Sequence, residues 1–375
     1  MFFERIIMVK VNNNFNDKLF RELFNQKRDT MVYSPYSINF IMTMVYQGMD
    51  GETRREFERV YGLKEDGDHS RVFDGFLSFD KSIQSDQLKS GNAQFLDQTY
   101  QTQITEEFMN RLAKADYSVE LCDFVNNSSG ETTRINEWIS ERTNGLIPNL
   151  LGDGDLNCET RLALVNTLYL KMRWMFPFYD SWDRDFTKMN GETTQLKMMY
   201  MEDSERMEYY EDNDRQVLLL PYKFENFYQQ YSMGIILPKT TGEFELVDNV
   251  EDYVEDAKRT LVTVSIPKFE SEYKVELSQV FSDFGLRTAF EKGNCDLSKL
   301  TKANDLYIDK IIHMAKIIVD EDGTEAAAAT AVLCCNECYM PESVQPKVFR
   351  ADHTFQYFIM HNKTRTILFS GVFNG

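Results

Sequence analysis

The chain has 375 residues, with 41 Lys and Arg against 60 Asp and Glu and a formal net charge of −19. That balance excludes a nucleic-acid or heparin ligand held by bulk charge, because phosphate and sulfate need concentrated Lys and Arg, and an anionic membrane surface would repel the chain. With 42% hydrophobic and 27% charged residues, the composition is that of a folded globular protein and not of a disordered one.

The N-terminus, MFFERIIMVK, carries charges that interrupt any apolar core of signal-peptide length. No stretch reaches the roughly 18 apolar residues of a transmembrane helix. The expected location is the cytoplasm, or outside the cell without a recognisable signal peptide. Phe15, Leu19, Phe20, Leu23 and Phe24 recur at helical spacing. Ser34-Pro35 opens a second helix, Ser34 as its cap and Pro35 in its first turn, and Ile38, Ile41, Met42 and Val45 continue its apolar face. Gly48 to Gly51 is a break, followed by a short charged helix from Glu52 to Tyr61. Thr132 to Arg142 puts Ile135, Trp138 and Ile139 on one helical face, and Asn144-Gly145 ends it. Leu162 to Leu170 (LALVNTLYL) is a nearly continuous apolar run, as in a strand buried on both faces.

Val217 to Leu220, Tyr231 to Leu237 and Leu261 to Ile266 read as strands, and Leu277 to Phe284 as a helix closed by Gly285. Thr354 to Met360 and Arg365 to Phe369 form a hairpin across His361 to Thr364. Length alone suggests two or three domains. No Pro/Gly/Ser-rich linker, repeat or regular βαβ period divides the chain, so a single α+β domain, 1–375, is expected.

Six Cys are too few for a disulfide scaffold. Cys335 and Cys338 make a C-x-x-C without a second pair or a suitably spaced His, so no zinc site and no cofactor is expected. The sequons at Asn126-Asn127-Ser128-Ser129 and Asn362-Lys363-Thr364 decide little, since such triplets occur by chance.

One segment fits neither a helix nor a loop. In Gly323 to Ala331 (GTEAAAATA), eight of nine residues are Gly, Ala or Thr. An Ala-rich helix is the plain reading, but so short a helix is marginal and this one has little to dock with. With period two, Thr324, Ala326, Ala328, Thr330 and Val332 share one face, and Glu325, Ala327, Ala329 and Ala331 the other. Nothing on the first face is too large or charged to enter an apolar sheet, and no Pro removes a ladder donor. The segment suits both an exposed loop and an inserted strand. After it, Leu333 to Glu342 has no periodicity and reads as an exposed loop open to proteases.

At these residues the chain resembles the serpin family. Ala351-Asp352-His353-Thr354-Phe355 through Ile367-Leu368-Phe369-Ser370-Gly371 is similar to the family's C-terminal signature, with Thr354 where Pro is usual. Val165 to Lys171 with Trp174 and Pro177-Phe178 matches a central strand and the region above it, Met172 standing for a common Gly. Tyr33-Ser34-Pro35-Tyr36-Ser37-Ile38, Thr143-Asn144-Gly145-Leu146-Ile147 (Leu146 for a usual Lys) and Glu321 to Glu325 complete five motifs in order. The hinge and tail most resemble the ovalbumin-like, signal-less branch.

The resemblance implies an α+β serpin fold of three β-sheets with surrounding helices and an exposed reactive-centre loop at about 321–346. It implies a monomer that traps a target serine protease covalently. The protease cleaves the loop and forms an acyl-enzyme, the freed loop inserts into the large sheet, and the protease is distorted before deacylation. The native state is then metastable, with insertion driven by new ladder bonds and apolar burial.

Residue by residue, Ser34, Ser37, Asn166 and His313 match the shutter beneath the sheet. Trp174 matches the breach, where insertion begins. Glu321, Gly323, Thr324, Glu325, Ala326, Ala327, Ala328, Ala329 and Thr330 match the hinge. The family's spacing puts the scissile bond between Glu337 and Cys338, for a protease that cuts after acidic residues; a shift along the loop would bring in Tyr339.

No G-x-S-x-G, phosphate-binding Gly loop or H-E-x-x-H supports an enzyme. A non-inhibitory serpin acting as carrier, chaperone or storage protein is the competing reading, and the small residues throughout the hinge favour inhibition over it. Arg71, Lys81 and Lys89 lie among several Asp without forming a basic stripe, so heparin activation is not expected.

Overall fold

A computed structural model of the protein describes residues 2–85, 87–115, 117, 119–201, 206–223, 230–242, 244–324 and 345–375. Helices dominate the first part: α1 (Phe2–Lys27), then strand β1 (Met31–Tyr33), α2 (Pro35–Tyr46), α3 (Gly51–Val60) and α4 (Ser70–Ile83). Next come β2 (Leu88–Asp97), α5 (Glu106–Ala115), β3 (Val119–Cys122), α6 (Phe124–Arg142) and β4 (Leu162–Leu170). Short strands follow: β5 (Met172–Arg173), β6 (Asp180–Thr187), β7 (Thr193–Met201), β8 (Arg206–Glu211), β9 (Arg215–Pro221) and β10 (Tyr231–Pro238). Then come α7 (Val250–Asp256), β11 (Lys258–Pro267), β12 (Phe269–Glu276), α8 (Ser278–Phe284) and β13 (Lys310–Val319). The chain closes with β14 (Gly323–Thr324), β15 (Lys347–Arg350), β16 (Phe355–His361) and β17 (Thr366–Phe373).

Local chemistry sets several of these boundaries. The Ser34 hydroxyl accepts the Ser37 N–H ahead of α2, with Pro35 in the first turn. Gly285 ends α8 at φ +114°, a conformation that side chains resist.

The chain packs as two compact units. The first holds residues 1–22, 33–169 and 272–316. In it β2 pairs with β3 in parallel, Gln94 opposite Val119, and β4 pairs with β13 in parallel, from Ala163 opposite Lys310 to Leu168 opposite Ala315. Side chains alternate across this sheet. Ala93, Phe95, Ala163, Val165, Ile312 and Met314 pack with Phe124, Ile135 and Ile139 of α6. Asn92, Asn166 and His313 reach the other face, where every residue of α2 is buried.

The second unit holds residues 23–32, 170–271 and 317–375. Its strands run β1-β17-β16-β10-β9-β8-β11-β7-β6, with β15 also on β11. Strand β11 changes partners midway: Lys258 to Leu261 face β8, and Val262 to Pro267 face β7 and β15. The arrangement is therefore two sheets sharing one long strand. Val217, Leu219, Ile236, Phe358 and Ile367 pack with Val250 and Val254 of α7.

Candidate functional site

In the first unit, Asn166 is the polar residue in the middle of an apolar strand, wholly buried and opposite His313. Its amide nitrogen donates to Ser37 Oγ (2.8 Å) and Asn92 Oδ1 (2.9 Å), and its Oδ1 accepts from His313 Nδ1. His313 Nε2 accepts the Ser34 backbone N–H at 3.0 Å. Ser37 Oγ donates to Asn92 Oδ1 (2.9 Å) and to the Thr167 carbonyl (3.2 Å). The four residues singled out from sequence, Ser34, Ser37, Asn166 and His313, thus form one network, and Asn92 of β2 is its fifth member. Of its polar atoms, the Asn92 amide nitrogen is without a partner among the described residues; removal of another member leaves further costly orphans.

The His313 ring donates with one nitrogen and accepts with the other, which only the neutral imidazole can do. Burial holds its pKa down to about 3, against the small upward pull of Asn166. An unfolded His titrates near 6.5. Between those values the unfolded chain binds a proton that the native one does not, so stability falls as pH drops through that window, by up to about 1.4 kcal/mol per pH unit. The unfolding midpoint of His313→Gln, followed from pH 7 to pH 4, is expected to fall less steeply than that of the unsubstituted protein. Parallel slopes would show that another group governs acid lability.

In the second unit, Glu321, Gly323 and Thr324 are held closely. Thr324 lies between two strands, opposite Val319 of β13 on one side and Met172 of β5 on the other. It is wholly buried, and its hydroxyl shares a 2.7 Å hydrogen bond with Tyr222 Oη. Gly323 is needed for contact rather than for a turn: a Cβ there would collide with the Met172 carbonyl and Arg173 Cα.

The turn before Thr324 is tied by Asp320, whose carboxylate accepts the N–H of Asp322 (3.0 Å) and of Gly323 (3.1 Å). Trp174 clamps it from outside: its indole N–H donates to the Asp320 carbonyl (2.9 Å), its backbone N–H donates to the Asp322 carbonyl (2.8 Å), and its ring stacks on Tyr222 at 4.6 Å. Phe178 N–H donates to the Glu321 carbonyl at 3.0 Å. The Glu321 carboxylate pairs with Lys268 at 2.8 Å. Burial pushes the Glu321 pKa up, but the Lys268 ammonium and a main-chain donor outweigh it and hold the group ionised.

Glu325, Ala326, Ala327, Ala328, Ala329 and Thr330, and Glu337, Cys338 and Tyr339, lie outside the described residues. Sequence reasoning missed Asn92, Tyr222, Lys268 and Asp320. For Asn92, the strand Leu88–Asp97 was hidden by a Gly91-Asn92 pair, which reads as a turn. The partners of Thr324 and Glu321 come from distant segments and leave no local pattern.

A family model described as Serpin (serine protease inhibitor) matches residues 10–375. An uncharacterised serpin-like protein of Thermococcus kodakarensis is 35% identical, over 97% of this chain and 84% of that one. The leukocyte elastase inhibitor of Xenopus tropicalis is 32% identical over 96% of both, and Serpin B6 of Macaca fascicularis is 30% identical over 98% and 99%. Among solved structures, Serpin48 of the insect Tenebrio molitor superposes with a TM-score of 0.82 at 26% identity over 98% of both chains. Human thyroxine-binding globulin has the same fold, with a TM-score of 0.85 at 24% identity over 98% of both chains.

Proposed function

This chain belongs to the serpin family, and from that premise we propose that it is an inhibitor that captures a serine protease by covalent trapping. The observation that carries the reading is the seat of Thr324. Thr324 already occupies a strand position between β13 and β5, and Glu325 and then an Ala-rich run follow it, with Ala326, Ala328 and Thr330 on the face that Thr324 shares. Cleavage beyond Thr330 would free that run to continue the strand. Each added residue would make ladder bonds, and those on the Thr324 face would bury small side chains.

In this reading Trp174, Tyr222, Asp320 and the Glu321–Lys268 pair form the breach that registers the first inserted residue. The network of Ser34, Ser37, Asn92, Asn166 and His313 is the shutter, which must rearrange for β4 and β13 to part. The bond that the protease attacks is Glu337–Cys338, with Tyr339 as the alternative before the cut. In this reading the chain acts as a monomer in a reducing compartment, where the thiols of Cys334, Cys335 and Cys338 persist.

The test is incubation with serine proteases that cut after Glu/Asp, Phe/Tyr, small apolar and Arg/Lys residues. A complex that survives denaturing electrophoresis, with release of a peptide beginning at Cys338, is the expected result. A peptide with another N-terminus would move the bond. Cleavage by every protease without a complex would assign the chain to the non-inhibitory members. Glu337→Arg is expected to transfer complex formation from the acid-specific to the Arg/Lys-specific protease; unchanged selectivity on the same gels would show that Glu337 does not precede the cut.

A further inference from the structure

The segment that clamps the hinge continues through Tyr179 into β6, the terminal strand of its sheet among the described residues. A terminal strand presents main-chain N–H and C=O groups to any extended chain of suitable register. Two features distinguish this edge from one merely guarded by charge. Trp182 is 37% exposed and Tyr179 60%, both large aromatics on one short stretch. The Trp182 ring packs on Tyr200 at 5.4 Å with the Arg184 guanidinium 5.7 Å above it. That makes a rigid, half-exposed platform of the kind enriched in binding surfaces. The charge of the strand is also one-sided: Asp180, Asp183 and Asp185 are all exposed, against the single Arg184, and among the described residues only Asp183 has an ion-pair partner, in Lys197.

Two residues before β6, the Phe178 N–H donates to the Glu321 carbonyl at 3.0 Å. A chain added to β6 would therefore load the segment that holds Glu321. We propose that the β6 edge is a docking site for an extended basic segment of a protein partner, which adds as a further strand, packs on Trp182 and acts on the hinge through the Phe178 main-chain bond to Glu321. The docking stands on the geometry of β6; its effect on inhibition rests on the function proposed above.

The experiment uses the full-length protein and a short fluorescein-labelled peptide alternating Arg and Val, read by anisotropy. Saturable binding that weakens with salt is expected. Trp182→Ala and Asp180→Lys, both on the exposed edge, should each weaken it by about 10-fold or more while the melting temperature holds. The same peptide N-methylated at alternate residues should not bind, because a strand addition needs its amide donors. Equal affinity of the N-methylated peptide, of a Glu/Val peptide, or of both variants would overturn the docking site. In the second arm, saturating peptide should change the rate of protease-complex formation by about 3-fold or more; an unchanged rate with intact binding would overturn the coupling to the hinge. Absence of any complex in peptide-free protein would instead sink the inhibitory reading and leave the anisotropy result standing.

Discussion

Thr324→Arg is expected to turn the protein from an inhibitor into a substrate. Thr324 sits wholly buried between Val319 and Met172, with its hydroxyl on Tyr222. The Cγ and Cδ methylenes of Arg, with the guanidinium beyond them, find no room there. Among the described residues the carboxylates of the turn are already engaged, Glu321 by Lys268 and Asp320 by the N–H groups of Asp322 and Gly323. An unpaired buried charge costs several kcal/mol. Each 1.4 kcal/mol added to the insertion barrier slows that step about 10-fold relative to deacylation, so a loss of about 100-fold or more in the inhibited fraction is expected. Denaturing gels with the target protease read it directly: the complex band disappears and cleaved protein replaces it. Thr324→Ser, which keeps the hydroxyl and shortens the side chain, should still form complex. A complex with Thr324→Arg at undiminished yield would show that the hinge does not lead the insertion.

Cleavage within residues 331–344 is expected to raise the melting temperature by about 20 °C. Insertion of the Ala-rich run would give it the ladder bonds of a strand, and each backbone hydrogen bond contributes about 1 kcal/mol net. A strand of some ten residues, with its apolar burial, then adds on the order of 10 kcal/mol, and for chains of this size each kcal/mol is worth about 2 °C. Scanning calorimetry of intact and nicked protein tests it without any inhibitory complex. A nicked form that melts at or below the intact one would mean that the loop does not insert, and the trapping mechanism would lose its driving force.

The legible parts of the sequence were those where one residue type contradicts its neighbours. Leu162 to Leu170 declares a doubly buried strand through its apolar run, and Asn166 stands out in it because an amide there must be satisfied. Ser34-Pro35 fixes the start of α2 by local capping alone. Thr324 could be read as a small residue able to enter a strand, and it occupies one; the small residues after it lie outside the described ones. Strands β6 and β7 could not be read, since DSWDRDFT buries only Phe186 and the first half of β7, TTQLK, alternates exposed with half-buried residues that are mostly polar. Strand β13 carries an apolar pattern broken by Lys310, His313 and Lys316, and His313 gains its meaning only from Asn166, 147 residues away. The clamp on the hinge is of the same kind: Tyr222, Lys268 and Trp174 are unremarkable in sequence and converge only in the fold.

The bond from the Trp174 indole to the Asp320 carbonyl gives the protein an optical signal of its own state. Trp174 is buried, stacked on Tyr222, and hydrogen-bonded to the turn that leads into Thr324. Withdrawal of the turn would expose the indole N–H to water and shift its emission to longer wavelength; deeper engagement would shift it the other way. A variant with Trp138 and Trp182 replaced by Phe would leave Trp174 as the sole indole, so that hinge position could be followed in real time, in unlabelled protein, through every step of an encounter with a protease.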